Sequence, residues 1–208
     1  MITENEKGIQ RNYSLRVYRQ HEDENEKQLL EYLAPADIRG TKFLSINEKN
    51  EENQMWLYLP AMGRERRIAA HMTGDSFMGT DFTYEEIGGE LPYEDDYSAE
   101  RLEDETIEGY DCYVLDLTPK RADVSYERVK MWVWKDEMIP VRIEFWNPAD
   151  VLKKTLTLGD FRDVEGDLMP HHLIMADNTA GTRTIIEITE TSREGISDDL
   201  FTLRYLRR

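Results

Sequence analysis

Residues 54–59 read QMWLYL, and residues 64–69 read RERRIA. In the first stretch Trp56 and Tyr58 alternate with Met55, Leu57 and Leu59, the period of two that an extended strand imposes on its side chains. Both sets are apolar, so this strand has two faces to keep from water. The pattern recurs downstream. In ERVKMWVW (Glu127–Trp134), Arg128, Lys130, Trp132 and Trp134 share one face and Val129, Met131 and Val133 the other. In VRIEFW (Val141–Trp146), Val141, Ile143 and Phe145 oppose Arg142, Glu144 and Trp146. One apolar face can build a core. The second needs a further cover: a helix, a loop, a partner or a ligand.

Working outward, short alternating segments also cover Asn12–Arg19, Lys42–Ile46, Arg64–Ala69, Tyr110–Leu117, Tyr126–Trp134, Leu152–Leu158, His171–Met175 and Arg183–Thr191. Between the later strands the chain breaks at WKDEMIP, WNPADV, DVEGDLMP and NTAGT, whose Asn, Asp, Gly and Pro favour tight turns. Strands joined so briefly pair antiparallel. The acidic stretches HEDENE (His21–Glu26), NEKNEEN (Asn47–Asn53) and YEDDYSAE (Tyr93–Glu100) read as loop tips or exposed strand ends. EKQLLEYL (Glu26–Leu33) fits an amphipathic helix by spacing, although Pro35 follows closely. In TYEEIGG (Thr83–Gly89), Thr83 and Glu86 have capping-box spacing, which predicts a short helix ended by Gly88 or Gly89. A strand-rich chain without long helices must curl its sheet or split it into layers to bury one face.

Composition narrows the function. The 208 residues suit a single domain, and 39% hydrophobic residues suffice for its core, which excludes global disorder. A net charge of −17 argues against nucleic acid, whose phosphates need clustered Lys and Arg, and against anionic bilayers. Cys112 is the one cysteine, so no internal disulfide forms; within YDCYVLDL it reads as a small buried hydrophobe. No apolar run is long enough for a spanning helix. The opening MITENEKGIQ is polar and lacks a signal core, so the expectation is either a cytoplasmic protein or one whose leader has been removed. Residues 1–11 are expected to be flexible or trimmed.

The catalytic inventory is sparse. His171 and His172 are adjacent on a strand, so their side chains leave opposite faces and do not readily share a metal. No Cys or His pair has zinc spacing, no Gly-rich loop has the lysine of a phosphate site, and no G-x-S-x-G elbow occurs. Asp95–Asp96 and Asp198–Asp199 fit a loop and a helix start better than a glycosidase pair. No catalytic residue, metal or cofactor is expected.

From Leu29 to Gly89 the order LLEYLAPADIRGTKFLSI, MWLYLPAMGRERRI and GDSFMGTDFTYEEI resembles the LolA-like outer-membrane lipoprotein-sorting family. YDCYVLDLTP, VRIEFW, LKKTLTL and the terminal DDLFTLRYL agree with it, so the likeness covers nearly all of the chain from about Asn12. The resemblance implies a mainly β fold: a single curved antiparallel sheet, an unclosed half-barrel whose concave face is covered by short helical turns or loops. It favours a strand for Glu26–Leu33. It also implies a periplasmic, non-enzymatic carrier that shields acyl chains of lipoproteins or other lipids, with an inner-membrane transporter as partner. The alternative is an envelope accessory module that docks on such a transporter without carrying lipid, with Trp132 and Trp134 beside Arg128 and Lys130 as its interface.

An acyl chain exposed to water costs about 0.8 kcal/mol per CH₂, so a carrier needs a large apolar cleft and little else. Trp56, Tyr58, Trp132 and Trp134 are candidates to line the cleft, and Arg64, Arg66 and Arg67 to hold an anionic head group at its rim. The loop Gly74–Phe82 carries Phe77, Met78 and Phe82 and is either a permanent plug of the core or a mobile lid, with Gly74 and Gly79 supplying backbone freedom.

Overall fold

A computed structural model describes residues 1–208 apart from 23–24, 50, 90–92, 123 and 194. Strands hold 54% of the chain and helices 12%. The strands are β1 (Ile2–Glu4), β2 (Gln10–Asn12), β3 (Ser14–Glu22), β4 (Asn25–Ala34), β5 (Lys42–Asn47), β6 (Gln54–Leu59), β7 (Arg64–Ile68), β8 (Tyr97–Arg101), β9 (Glu105–Ile107), β10 (Tyr110–Pro119), β11 (Arg128–Trp134), β12 (Ile139–Trp146), β13 (Leu152–Val164), β14 (Asp167–Asp177) and β15 (Thr182–Glu187). The helices are single turns: α1 (Tyr84–Gly88), α2 (Tyr93–Asp96) and α3 (Leu203–Leu206). No helix among the described residues is long and apolar enough to cross a membrane.

The fold is mainly β, antiparallel and unclosed, as the alternation predicts. Hydrogen bonds distribute the strands between two sheets rather than one. The first runs β3-β4-β5-β6-β7; the second runs β2-β1-β15-β14-β13-β12-β11-β10-β8, with β9 also on β10. The interruption follows β7, where residues 69–89 and 93–96 form turns and short helices, and the next strand, β8, pairs with β10. Residues 2–4, expected to be flexible or trimmed, pair as β1 with β15. Glu26–Leu33 lies within β4, which pairs along its length with β3 and β5. Of the acidic stretches, residues 23, 24 and 50 lie outside the described residues, and Tyr93–Glu100 forms α2 and the exposed strand β8.

Contacts divide the chain into two compact units: Arg11–Leu91 with Met1 and Glu194–Arg208, and Pro92–Arg193 with Ile2–Gln10. In the first unit, register sorts the side chains of the five-stranded sheet into opposed rows. Val17, Leu30, Phe43, Leu57 and Arg66 are successive cross-strand partners on one face. Tyr18, Leu29, Leu44, Trp56 and Arg67 are successive partners on the other. Both rows are apolar until they reach β7, so both faces need a cover.

The chain supplies one for each. On the Leu30 face, Phe77 and Tyr84 join Tyr32, Phe43, Met55, Leu57 and Ile68 in one buried cluster. On the Leu29 face, Phe201 and Leu206 of the C-terminal segment pack on Leu29 and Leu44, flanked by Trp56 and Tyr58. Lys42 ties that segment down by donating from Nζ to the Tyr205 carbonyl oxygen at 3.2 Å, and Arg207 Nε donates to Glu65 at 2.8 Å.

The Phe77–Tyr84 cover is fixed by the ends of α1. Thr83 Oγ1 accepts from the Glu86 backbone N–H at 3.2 Å, and the Glu86 carboxylate accepts from the Thr83 N–H at 2.7 Å, the expected capping box. At the other end the chain turns through Gly89 at φ +107°, and three buried polar side chains take the last carbonyls. Gln28 Nε2 donates to the Ile87 oxygen at 2.5 Å; Ser45 Oγ and Asn47 Nδ2 donate to the Gly88 oxygen at 2.5 and 3.1 Å. Carbonyls at a helix end lack intrahelical partners, and burying them unpaired is costly. These donors are what lets α1 lie on the sheet.

In the second unit, β10–β12 place Val129 and Phe145, cross-strand partners, fully out of solvent. Cys112, Val114, Trp132 and Val141 form a buried cluster on the other side. The alternation assigns Val141 to the Ile143 and Phe145 face, and the structure corrects it. Between Trp132 and Val133 the register slips, so Trp132 faces Arg142 and Val133 faces Pro140, leaving Val141 as an extra residue that turns toward Trp132.

Gly89→Ala, at φ +107° with the new Cβ 2.8 Å from a Glu26 carboxylate oxygen, should lower stability by about 1–3 kcal/mol in urea unfolding. Gly159→Ala, with nothing within 4 Å, should change it by less than about 1 kcal/mol. Equal midpoints for the two variants would mean that the end of α1 does not hold the cover in place.

Candidate functional site

A cleft of about 240 Å³ opens on the Leu57 face of the five-stranded sheet, lined by Leu57, Leu59, Met62, Arg64, Glu65 and Arg66. Its position follows from register. Leu57 pairs with Arg66 and Leu59 with Arg64, so two aliphatic side chains of β6 and two guanidinium groups of β7 emerge on the same side. Met62, in the turn between these strands, is 52% exposed. Ligand pockets commonly enclose about 300–1,000 Å³, so this cleft suits part of a chain molecule rather than a whole cargo.

The three rim arginines separate. Arg64 and Arg66 face the cleft side, whereas Arg67, partner of Trp56, lies on the opposite face. Burial pushes the pKa of the Tyr84 hydroxyl up, against the opposing influence of the nearby Arg66 guanidinium. Glu65 has its carboxylate gripped by Arg207, which holds its pKa down at about 2.

Phe77 is fully buried, with its ring centroid 5.2 Å from that of Phe43 and 5.4 Å from that of Tyr84. Phe82 is also buried, and its carbonyl accepts from the Phe77 N–H at 2.8 Å. Between them Met78 and Gly79 both take positive φ, 51° and 78°, while the Thr80 N–H returns to the Phe77 oxygen at 2.9 Å. This is the backbone of a tight hairpin turn, in which glycine is at ease and Met78 is strained. Of the two glycines read as giving freedom, Gly79 uses it; Gly74 is not among the residues of positive φ. Met78 is half-buried at the edge of the Phe77 cluster.

Trp56 and Tyr58 face the C-terminal segment, not the cleft. Trp132 and Trp134 belong to the other unit. Trp132 is buried, donates from Nε1 to Glu105 at 2.9 Å, and lies under Lys130 Nζ at 4.4 Å from its ring centroid. Trp134 packs against Tyr110 and Phe161, with centroids 4.8 and 5.9 Å away. The ten candidates therefore do not converge: Arg64 and Arg66 share the cleft, and the aromatic residues are built into packing. Leu57, Leu59, Met62 and Glu65 were missed, although the parity of QMWLYL already placed Leu59 with Leu57. Cys112 is buried as expected, which raises its thiol pKa. Among the described residues no group of three or more His, Cys, Asp or Glu could hold a metal ion.

This arrangement of unclosed antiparallel sheets is the fold of the LolA-like outer-membrane lipoprotein-sorting proteins. A candidate outer membrane lipoprotein-sorting protein domain from Vibrio parahaemolyticus superposes with a TM-score of 0.91 at 26% identity, covering 100% of this chain and 88% of its own. A DUF1329 family protein from Desulfovibrio piger also gives 0.91, at 28% identity, over 99% of this chain and 88% of its own. A LolA superfamily protein from Nitrosomonas europaea shares the fold at 0.74 with 23% identity, over 98% and 87%. A family model described as "Uncharacterized protein" matches residues 24–208, and the chain belongs to that family, DUF1329. No curated protein matches it.

Phe77→Ala should lower stability by about 3–5 kcal/mol in urea unfolding, the cost of emptying a buried aromatic site. A change below about 1 kcal/mol would show that the ring is not part of the core and would revive the mobile lid.

Proposed function

We propose that this protein is a carrier of the bacterial envelope that shelters acyl chains of lipoproteins or other lipids, acting by binding and not by catalysis. The observation that carries this reading is the superposition, across the whole chain, on a domain described as sorting outer-membrane lipoproteins. The cleft adds physical support, because Leu59 and Met62 offer apolar surface beside the buried Leu57. On this reading it works in the periplasm, where cargo leaving the inner membrane meets water, and an inner-membrane transporter is its natural donor. A net charge of −17 suits such a role, since repulsion from anionic lipid keeps a carrier from lingering on either membrane. The accessory-module reading has less support: it uses Trp132 as an interface anchor, and that ring is already buried within its own unit.

Titration with fatty acids of increasing length, followed by isothermal titration calorimetry, tests the carrier role. Each methylene that becomes buried is worth about 0.8 kcal/mol, so Kd should fall by up to about fourfold per added methylene until the cleft is filled. Affinity independent of length, or no binding at any length, rejects the carrier.

A further inference from the structure

Resting on that carrier reading, we propose that the cleft between β6 and β7 selects anionic single-chain amphiphiles, with the head group on Arg64 and Arg66 and the first methylenes against Leu59 and Met62. The charges carry the inference. In a chain with 43 acidic and 26 basic residues, arginines are commonly matched to carboxylates. Arg101 pairs with Asp104, Arg128 with Asp116 and Arg183 with Glu4. Arg64 makes no ion pair among the described residues, although it is exposed beside an apolar wall. Arg66 next to it also makes no ion pair among the described residues; it lies near the neutral Tyr84 hydroxyl, with Asp75 acting on the same group. The acidic wall residue, Glu65, does not cancel these charges, because Arg207 already holds its carboxylate.

The apolar part has matching geometry. Leu59 pairs directly with Arg64, so an anion on Arg64 has its first methylenes over Leu59. Met62, half in water, is flexible enough to close over chains of different shape. A neutral or cationic head group gains nothing at this rim and meets the repulsion or indifference of two guanidinium groups. Arg67 supplies an internal control: it adjoins Arg66 in sequence and carries the same charge, but lies on the opposite face.

The test compares dodecanoate, monododecanoylglycerol and dodecyltrimethylammonium binding to wild type, Arg64→Gln, Arg66→Gln and Arg67→Gln at low ionic strength. Wild type should prefer dodecanoate over the neutral ester by about fivefold, the upper range for a solvent-exposed ion pair, with the preference fading as salt is added. Arg64→Gln, which removes no hydrogen bond or ion pair among the described residues, should abolish the preference by weakening dodecanoate binding more than ester binding. Arg66→Gln should weaken it too, and Arg67→Gln should retain it. Equal wild-type affinity for dodecanoate and the ester overturns the proposal while leaving the carrier reading standing. A preference that survives Arg64→Gln and Arg66→Gln, or is lost equally in Arg67→Gln, overturns it as well. Failure of all three probes removes the carrier reading and this proposal together.

Discussion

A five-stranded sheet that is apolar on both faces does not persist in water until each face is covered. That constraint organises the first unit. Leu30, Phe43 and Leu57 on one side and Leu29, Leu44 and Trp56 on the other are successive cross-strand partners. Their burial can contribute roughly 1.5–3 kcal/mol per large side chain only if something lies over them. The covers come from distant parts of the sequence: the Phe77–Tyr84 loop and helix on one face, the segment ending in Leu206 on the other.

Each cover carries backbone polar groups onto an apolar surface, and the sheet meets them with buried donors. Gln28, Ser45 and Asn47 are buried polar residues of β4 and β5, and all three donate to the last carbonyls of α1. Lys42 does the same for Tyr205 on the opposite side. Without such partners the covers would trade hydrophobic burial for unsatisfied hydrogen bonds and gain little. At β7 both rows end in arginine, and there Leu59 and Met62, beside the buried Leu57, reach solvent. The proposed site thus lies where the constraint on the sheet is relaxed.

Much of this was legible in sequence because it depends on local periodicity. The alternation of QMWLYL announced two apolar faces, and Thr83 with Glu86 announced the cap of α1. The spacing of EKQLLEYL suggested a helix, but β3 and β5 flank it and their ladders outweigh the local propensity. What was hidden is non-local. The extra residue at Val141 appears only when β11 and β12 are paired. The division of Arg64 and Arg66 from Arg67 depends on register against β6, and the role of Phe201 and Leu206 as a cover depends on contacts more than 150 residues away from Leu29 and Leu44. Trp56, Tyr58, Trp132 and Trp134 stood out as candidate ligand groups because aromatic rings are conspicuous in a strand. Trp132 is buried in internal packing, and the other three are partly buried against neighbouring side chains.

The fold is that of the lipoprotein-sorting proteins, and the proposed carrier role adds one physical requirement: an acyl chain must find the protein a better solvent than water. Native mass spectrometry of the protein purified from cells without detergent tests this most directly. The carrier account predicts satellite masses above the 208-residue chain that match acyl-bearing species and vanish after extraction with organic solvent. A single apo mass, unchanged after incubation with cellular lipid extract, would contradict it.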